Sequence, residues 1–179
     1  MVRRVVTGHK AGKAAFVSDG TPPKGHVFKN APGMEIALVW ATPPEPILSM
    51  DGQKDPVSGD TAYLPEALAA TSLLILTIPP DSAAAREDFD GAAAGAELAH
   101  HVPQIAAVQE ADNPGMHRTN TVDYVVVLDG EICLELDDQQ ERVLKPHDIV
   151  IQNGTRHAWR NRSERPATLA VILVGAQRG

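Results

Sequence analysis

Residues 122–136 read Val-Asp-Tyr-Val-Val-Val-Leu-Asp-Gly-Glu-Ile-Cys-Leu-Glu-Leu, two apolar-rich runs joined at Asp129-Gly130. Asp-Gly between alternating runs predicts a two-residue hairpin, because both central positions of that turn require positive φ. Such a hairpin sets Leu128 opposite Glu131, Val127 opposite Ile132, Val125 opposite Leu134 and Asp123 opposite Leu136. Side chains alternate along a strand, so Asp123, Val125, Val127, Ile132, Leu134 and Leu136 share one face. That face is apolar except for one carboxylate. A buried carboxylate is costly unless it is neutralised, paired or bound to a metal, so Asp123 calls for a partner.

Candidate partners have matching parity. His117, Thr119 and Thr121 precede Asp123 in the same alternation. Further on, Thr155, His157, Trp159 and Asn161 share one face, while Arg156, Arg160 and Arg162 take the other. Pairing these segments puts His157 opposite His117 or opposite Asp123, and the sequence leaves that choice open.

The stretch from His117 to Asn161 resembles the cupin superfamily. The first motif of that family has His-x-His, then Glu after three or four residues, then a Gly at the end of the next strand. Here His117 falls on the first His, Thr119 on the second, Asp123 on the Glu and Gly130 on the Gly. The second motif, Pro-x-Gly-x-x-His-x-x-x-Asn, is matched by Gln152 to Asn161, with Gln152 in place of Pro and with Gly154, His157 and Asn161 in position. The intervening Pro-Gly-Asp turn of the family stands here as Pro146-His147-Asp148. The resemblance implies an all-β cupin jelly-roll barrel of two antiparallel sheets. It also implies a metal site, usually three His and one Glu on Mn, Fe, Ni, Cu or Zn. Thr119 removes one imidazole and Asp123 is a methylene shorter than Glu. Two His and one carboxylate remain, the ligand set of non-haem Fe(II) facial triads.

The chain has 179 residues, and the expected division is an N-terminal extension over 1–103 packed on a cupin barrel over 104–179. A net charge of −7 with no basic stripe excludes a nucleic-acid or acidic-membrane partner. Arg156, Arg160, Arg162 and Arg165 read as a solvated strand face with acidic neighbours. Cys133 is the single cysteine, so no intrachain disulfide forms, and it reads as a small buried apolar residue. No apolar run approaches membrane-span length and the N-terminus lacks a signal-peptide pattern, so the expected location is the cytoplasm.

Along the chain, residues 2–6 and 14–18 predict a hairpin about the Gly8 to Lys13 segment. Ile36–Ala41 and Leu73–Ile78 read as strands, ended by Pro43-Pro44 and Pro79-Pro80. The Pro- and Gly-rich stretch 42–60 is a loop, a candidate lid or interface element. Residues 81–95 read as mobile, and 96–102 as one short helix stopped by Pro103. His100 and His101 read as surface or partner-contact residues; His9 and His26 receive no role. Glu141–Leu144, Ile149–Ile151 and Leu169–Val174 complete the strands. The N-terminal strands are expected to extend the two sheets and to cover Tyr124, Val126 and Leu128, a duty that a second copy of the chain also fits. Dimerisation is what the resemblance implies.

The expected function is small-molecule enzymology, of oxygenase, decarboxylase or isomerase type, at a divalent metal (Fe, Mn, Ni or Zn) held by His117, Asp123 and His157. Thr119, Val125, Val127, Leu134 and Trp159 are the expected pocket wall. Two alternatives stand beside it: a metal-free module that binds or senses a small ligand, and a metal-free isomerase or dehydratase using His117 or His157 with Asp123 as acid–base pair. Asn161 is read as a strand-end structural residue and His147 as exposed.

Overall fold

The computed structural model of the chain describes residues 2–48, 51–52 and 54–179. Its strands are β1 (Arg4–Lys10), β2 (Lys13–Gly20), β3 (Lys24–Val27), β4 (Glu35–Thr42), β5 (Thr71–Ile78), β6 (Thr121–Asp129), β7 (Ile132–Glu135), β8 (Glu141–Leu144), β9 (Ile149–Asn153), β10 (Ala158–Arg160) and β11 (Ala167–Gly175). Two helices, α1 (Gly91–His101) and α2 (Pro103–Val108), lie between β5 and β6. None of the described helices is long and apolar enough to cross a membrane.

The strands form a jelly-roll barrel of two facing antiparallel sheets, with β1 and β2 as a separate hairpin. One sheet has six strands in the order β3-β4-β5-β11-β6-β9, and the other has three in the order β10-β7-β8. Alternation along β6 turns Thr121, Asp123, Val125 and Val127 inward, and all four are buried. From the opposite sheet, Ile132 and Leu134 of β7 are buried too. Val125, Val127, Ile132, Ala167 and Leu169 make one core cluster. A second joins Phe28, Ile36, Leu38, Leu74, Val102 and Leu173 with Val57 and Tyr63. Val57 and Tyr63 belong to the long segment after β4, so part of that loop is built into the core. Arg4 is ion-paired to Asp55 of the same loop.

The hairpin expected at Asp129-Gly130 is corrected. β6 pairs with β11 and β9, while β7 pairs with β10 and β8, so this turn carries the chain from one sheet to the other. Only Gly130 has positive φ (78°); Asp129 remains extended, which is not the two-residue hairpin turn. A Cβ on Gly130 would stand 2.6 Å from the Pro166 carbonyl oxygen and 2.7 Å from Ala167 Cα, so the corner closes on glycine. Inward parity survives the change because residues on both sides of the corner face the same interior from opposite walls.

Three other expectations shift. Residues 91–95 are helical: Asp90 caps α1, its carboxylate accepting the Ala93 amide at 2.9 Å, and the helix begins five residues earlier than periodicity indicated. Pro103 ends α1 and also opens α2, where its missing N–H is harmless. The N-terminal strands β3, β4 and β5 join the six-stranded sheet edge to edge and do not cover β6. Tyr124 and Leu128 therefore remain largely exposed.

Candidate functional site in the barrel cavity

An internal cavity of about 190 Å³ opens between the two sheets and beneath the helices. Its walls are mostly apolar: Leu74, Leu76 and Ile78 from β5, Val171 and Leu173 from β11, and Leu98, Val102 and Ile105 from the helices. Polar side chains enter as Gln109, His117, Thr119, Asp123 and His157, with Trp159 also in the wall.

His117 and His157 are brought together by the backbone. They form an isolated antiparallel bridge in which each N–H donates to the other's carbonyl, at 2.9 and 3.0 Å. Directly opposed residues project to the same face, and the two rings lie 4.3 Å apart, centroid to centroid, tilted by 52°. Each ring is oriented by its own chain: His117 Nδ1 lies 2.9 Å from the Gly115 carbonyl and His157 Nδ1 3.0 Å from the Thr155 carbonyl. A carbonyl only accepts, so each Nδ1 carries the hydrogen and each Nε2 keeps a lone pair. Burial lowers the His117 pKa; burial, and then repulsion from His117, takes His157 down to about 4. Both imidazoles are neutral near pH 7.

Asp123 sits on β6 between Leu173 of β11 and Gln152 of β9, and is 3% exposed. Its Oδ1 is buried with no hydrogen-bond partner. Burial pushes the carboxyl up to about 6, offset in part by the Thr121 hydroxyl. The Thr121 hydroxyl donates to Thr119 Oγ1 at 2.7 Å, which ties the two threonines beside the carboxyl together. Trp159 stands edge-on to His157 with ring centroids 5.8 Å apart.

Of the expected pocket wall, Thr119, Val125 and Trp159 line the cavity; Val127 and Leu134 are buried outside it. The wall that sequence reasoning missed comes from Val171 and Leu173 of β11 and from the first 108 residues, including Phe28, Met34, Ile36 and the α1–α2 segment. The signal for the helical part was the spacing of Leu98, Val102 and Ile105 at i, i+4 and i+7.

A metal of the family kind needs donors that converge. Among the described residues, the group of three His, Cys, Asp or Glu side chains whose donor atoms all lie within 4.8 Å of one another is His26, Glu97 and His101, not the barrel trio. His117, Asp123 and His157 share one cavity without closing on a common point, so as placed they do not fit a three-ligand centre. The two imidazoles, with ring centroids 4.3 Å apart, are the pair within the trio that the backbone brings together. His26 and His101, expected to lack a role or to sit at the surface, are partly buried against each other, while His100 is exposed.

Asn161 is structural, as expected: its amide donates to the Ile78 and Arg165 carbonyls at 2.9 Å each, and its Oδ1 accepts from Ser163. The arginines have acidic partners, Arg156 with Glu110 and Asp137, Arg160 with Glu135, Arg162 with Glu141.

Residues 104–174 match the family model described as a cupin domain. The chain is 52% identical over 62 residues to phomopsin biosynthesis cluster protein D of Diaporthe leptostromiformis, covering 35% of this chain and 33% of that protein. It is 41% identical over 78 residues to oryzines biosynthesis cluster protein J of Aspergillus oryzae, covering 41% and 44%. To the cupin-domain-containing oxidoreductase srdB of Neurospora crassa it is 36% identical over 80 residues, covering 41% of each. These matches thus span between a third and somewhat under half of the relatives' own length. On its motifs, its barrel and this family match, residues 104–174 of the chain are a cupin domain.

Proposed function

We propose that the protein is a small-molecule enzyme that moves a proton within the barrel cavity, with Asp123 as the proton-carrying group and His117 and His157 as acceptors for a substrate hydroxyl or enol. The observation that carries this reading is the unpartnered Asp123 Oδ1 in a mostly apolar cavity that it shares with two imidazoles holding bare Nε2 atoms, Thr119 and Gln109. A carboxyl poised near neutral pH exchanges protons in both directions at comparable cost. The fixed tautomers leave the imidazoles only lone pairs to offer, so they orient a donor on the substrate. The apolar walls select a compact aromatic or ketonic molecule and exclude water from the proton-transfer site. Isomerisation or dehydration next to a carbonyl is the reaction class. The relatives' names, from fungal biosynthesis clusters, fit a role on a secondary metabolite.

The test is hydrogen–deuterium exchange at the α-carbon of a panel of small cyclic and aryl hydroxyketones, followed by NMR in D2O with chelator-treated protein. Exchange by the wild type that falls at least a hundredfold in Asp123→Asn is the expected result. No ketone exchanged, or equal rates in the variant, would remove the reading.

A second reading is favoured by the Nδ1 contacts, which hold both imidazoles as metal ligands are commonly held. Here His117 and His157 bind a divalent ion through Nε2, and the ion supplies Lewis-acid or redox chemistry. The oxidoreductase naming of some relatives agrees with it. Trp159 fluorescence quenched by stoichiometric Fe(II) or Cu(II), with ketone exchange restored only by metal, would replace the first reading with this one.

A further inference from the structure

We propose that His26, Glu97 and His101 form a second site, for a divalent ion of the zinc type, that fastens helix α1 to strand β3. The site is separate from the barrel cluster and does not depend on the chemistry proposed there.

Glu97 and His101 are four residues apart on α1, so they lie one above the other on the same helix face. His26 on β3 meets that face: its Nε2 is 2.8 Å from Glu97 Oε1, and its ring stacks on His101 with centroids 3.5 Å apart and 14° between planes. All three donor atoms lie within 4.8 Å of one another. Metal–ligand bonds of about 2.0–2.2 Å put neighbouring donors about 3 Å apart, so the His26–Glu97 pair already has the right spacing. Closing the set takes a turn of the His101 ring out of its stack on His26, because in-plane lone pairs of near-parallel rings do not meet; His101 is a partly exposed side chain in the last turn of α1.

The surroundings also suit a ligand set. Glu97 accepts the Lys29 amide at 2.9 Å on Oε1 and the Asn30 amide at 2.7 Å on Oε2, which fixes the carboxylate, and an ion would take the place of the His26 hydrogen on Oε1. Two imidazoles and one carboxylate make a common zinc donor set.

The placement gives the ion a task. Leu98 and Val102, each one residue on from a proposed ligand, line the barrel cavity, and Phe28, edge-on to His26 at 4.8 Å, lines it too. An ion shared by β3 and α1 therefore clamps the helical wall of the cavity to the sheet.

The experiment uses the full chain without an affinity tag, in the His157→Ala background so that the barrel pair cannot contribute. Zinc binding is read by calorimetry and coordination by visible absorption of the Co(II) form. Hydrogen exchange of residues 91–101 serves as an independent readout of the clamp. One equivalent of zinc and slower α1 exchange on zinc addition are expected. Adding His101→Ala weakens binding at least tenfold and abolishes the exchange response, and His101→Cys restores both. Absence of zinc binding in the His157→Ala protein overturns the proposal, as does unchanged affinity in the His101→Ala form. Neither result bears on the ketone assay above.

Discussion

Asp123 is kept in the cavity at the expense of stability. Its folded pKa is raised from the ordinary carboxylate value to about 6, so the folded state holds its proton more tightly than the unfolded chain. Stability from this group is full below the unfolded pKa and is lost as pH rises through about 6. Asp123→Asn should therefore unfold at higher denaturant than wild type at pH 7.5, by up to about 3 kcal/mol, with the gap shrinking toward pH 4. A variant less stable at pH 7.5 would mean that the carboxylate has a partner in solution. His147 makes the same kind of point on the backbone. It stands at φ 78° in the turn before β9, where the family prefers glycine, and its side chain is exposed. His147→Gly should stabilise by about 0.5–1 kcal/mol, because relief of left-handed strain exceeds the added chain entropy. Thermal melts of the two proteins check this.

Among the elements, the corner at Gly130 decides the topology. It turns β6 away from β7, so the alternating runs on either side become opposite walls of one barrel. Gly130→Ala should destabilise by about 2–4 kcal/mol, since the backbone of Pro166 and Ala167 leaves a methyl no room and the positive φ adds strain. Chemical denaturation measures it, and a change below about 0.5 kcal/mol would place the corner elsewhere. The helices show how a local rule is read only halfway from sequence. Pro103 breaks α1 as its ring demands, yet the same residue is well placed at the start of α2. The bend between them carries Leu98, Val102 and Ile105 onto the cavity.

For the whole molecule, the outer face of the six-stranded sheet is the outstanding feature. Tyr124 pairs with Ile151 across β6 and β9, and Ile149 lies further along β9; all three are 45% exposed or more. For this apolar row on a sheet face, with nothing packed on it from the described chain, we propose a second copy of the chain as the cover. Sedimentation equilibrium should give twice the chain mass, and Ile151→Lys should shift it toward the monomer. A monomeric wild type at tens of micromolar would count against the dimer.

Local pattern determined much of this molecule. Strand periodicity, the motif spacing from His117 to Asn161 and the inward parity of Asp123, Val125 and His157 follow from side-chain alternation, which needs no knowledge of partners. Tertiary structure decided the rest. Only the closed barrel shows that β6 pairs with β11, that His117 bridges His157 while Asp123 stands apart, and that His26 meets Glu97 and His101 from a distant strand. Those contacts join residues up to about seventy positions apart. A period of two states which side of a strand a residue faces, but not which strand lies opposite, because that choice is made by burial summed over the entire core.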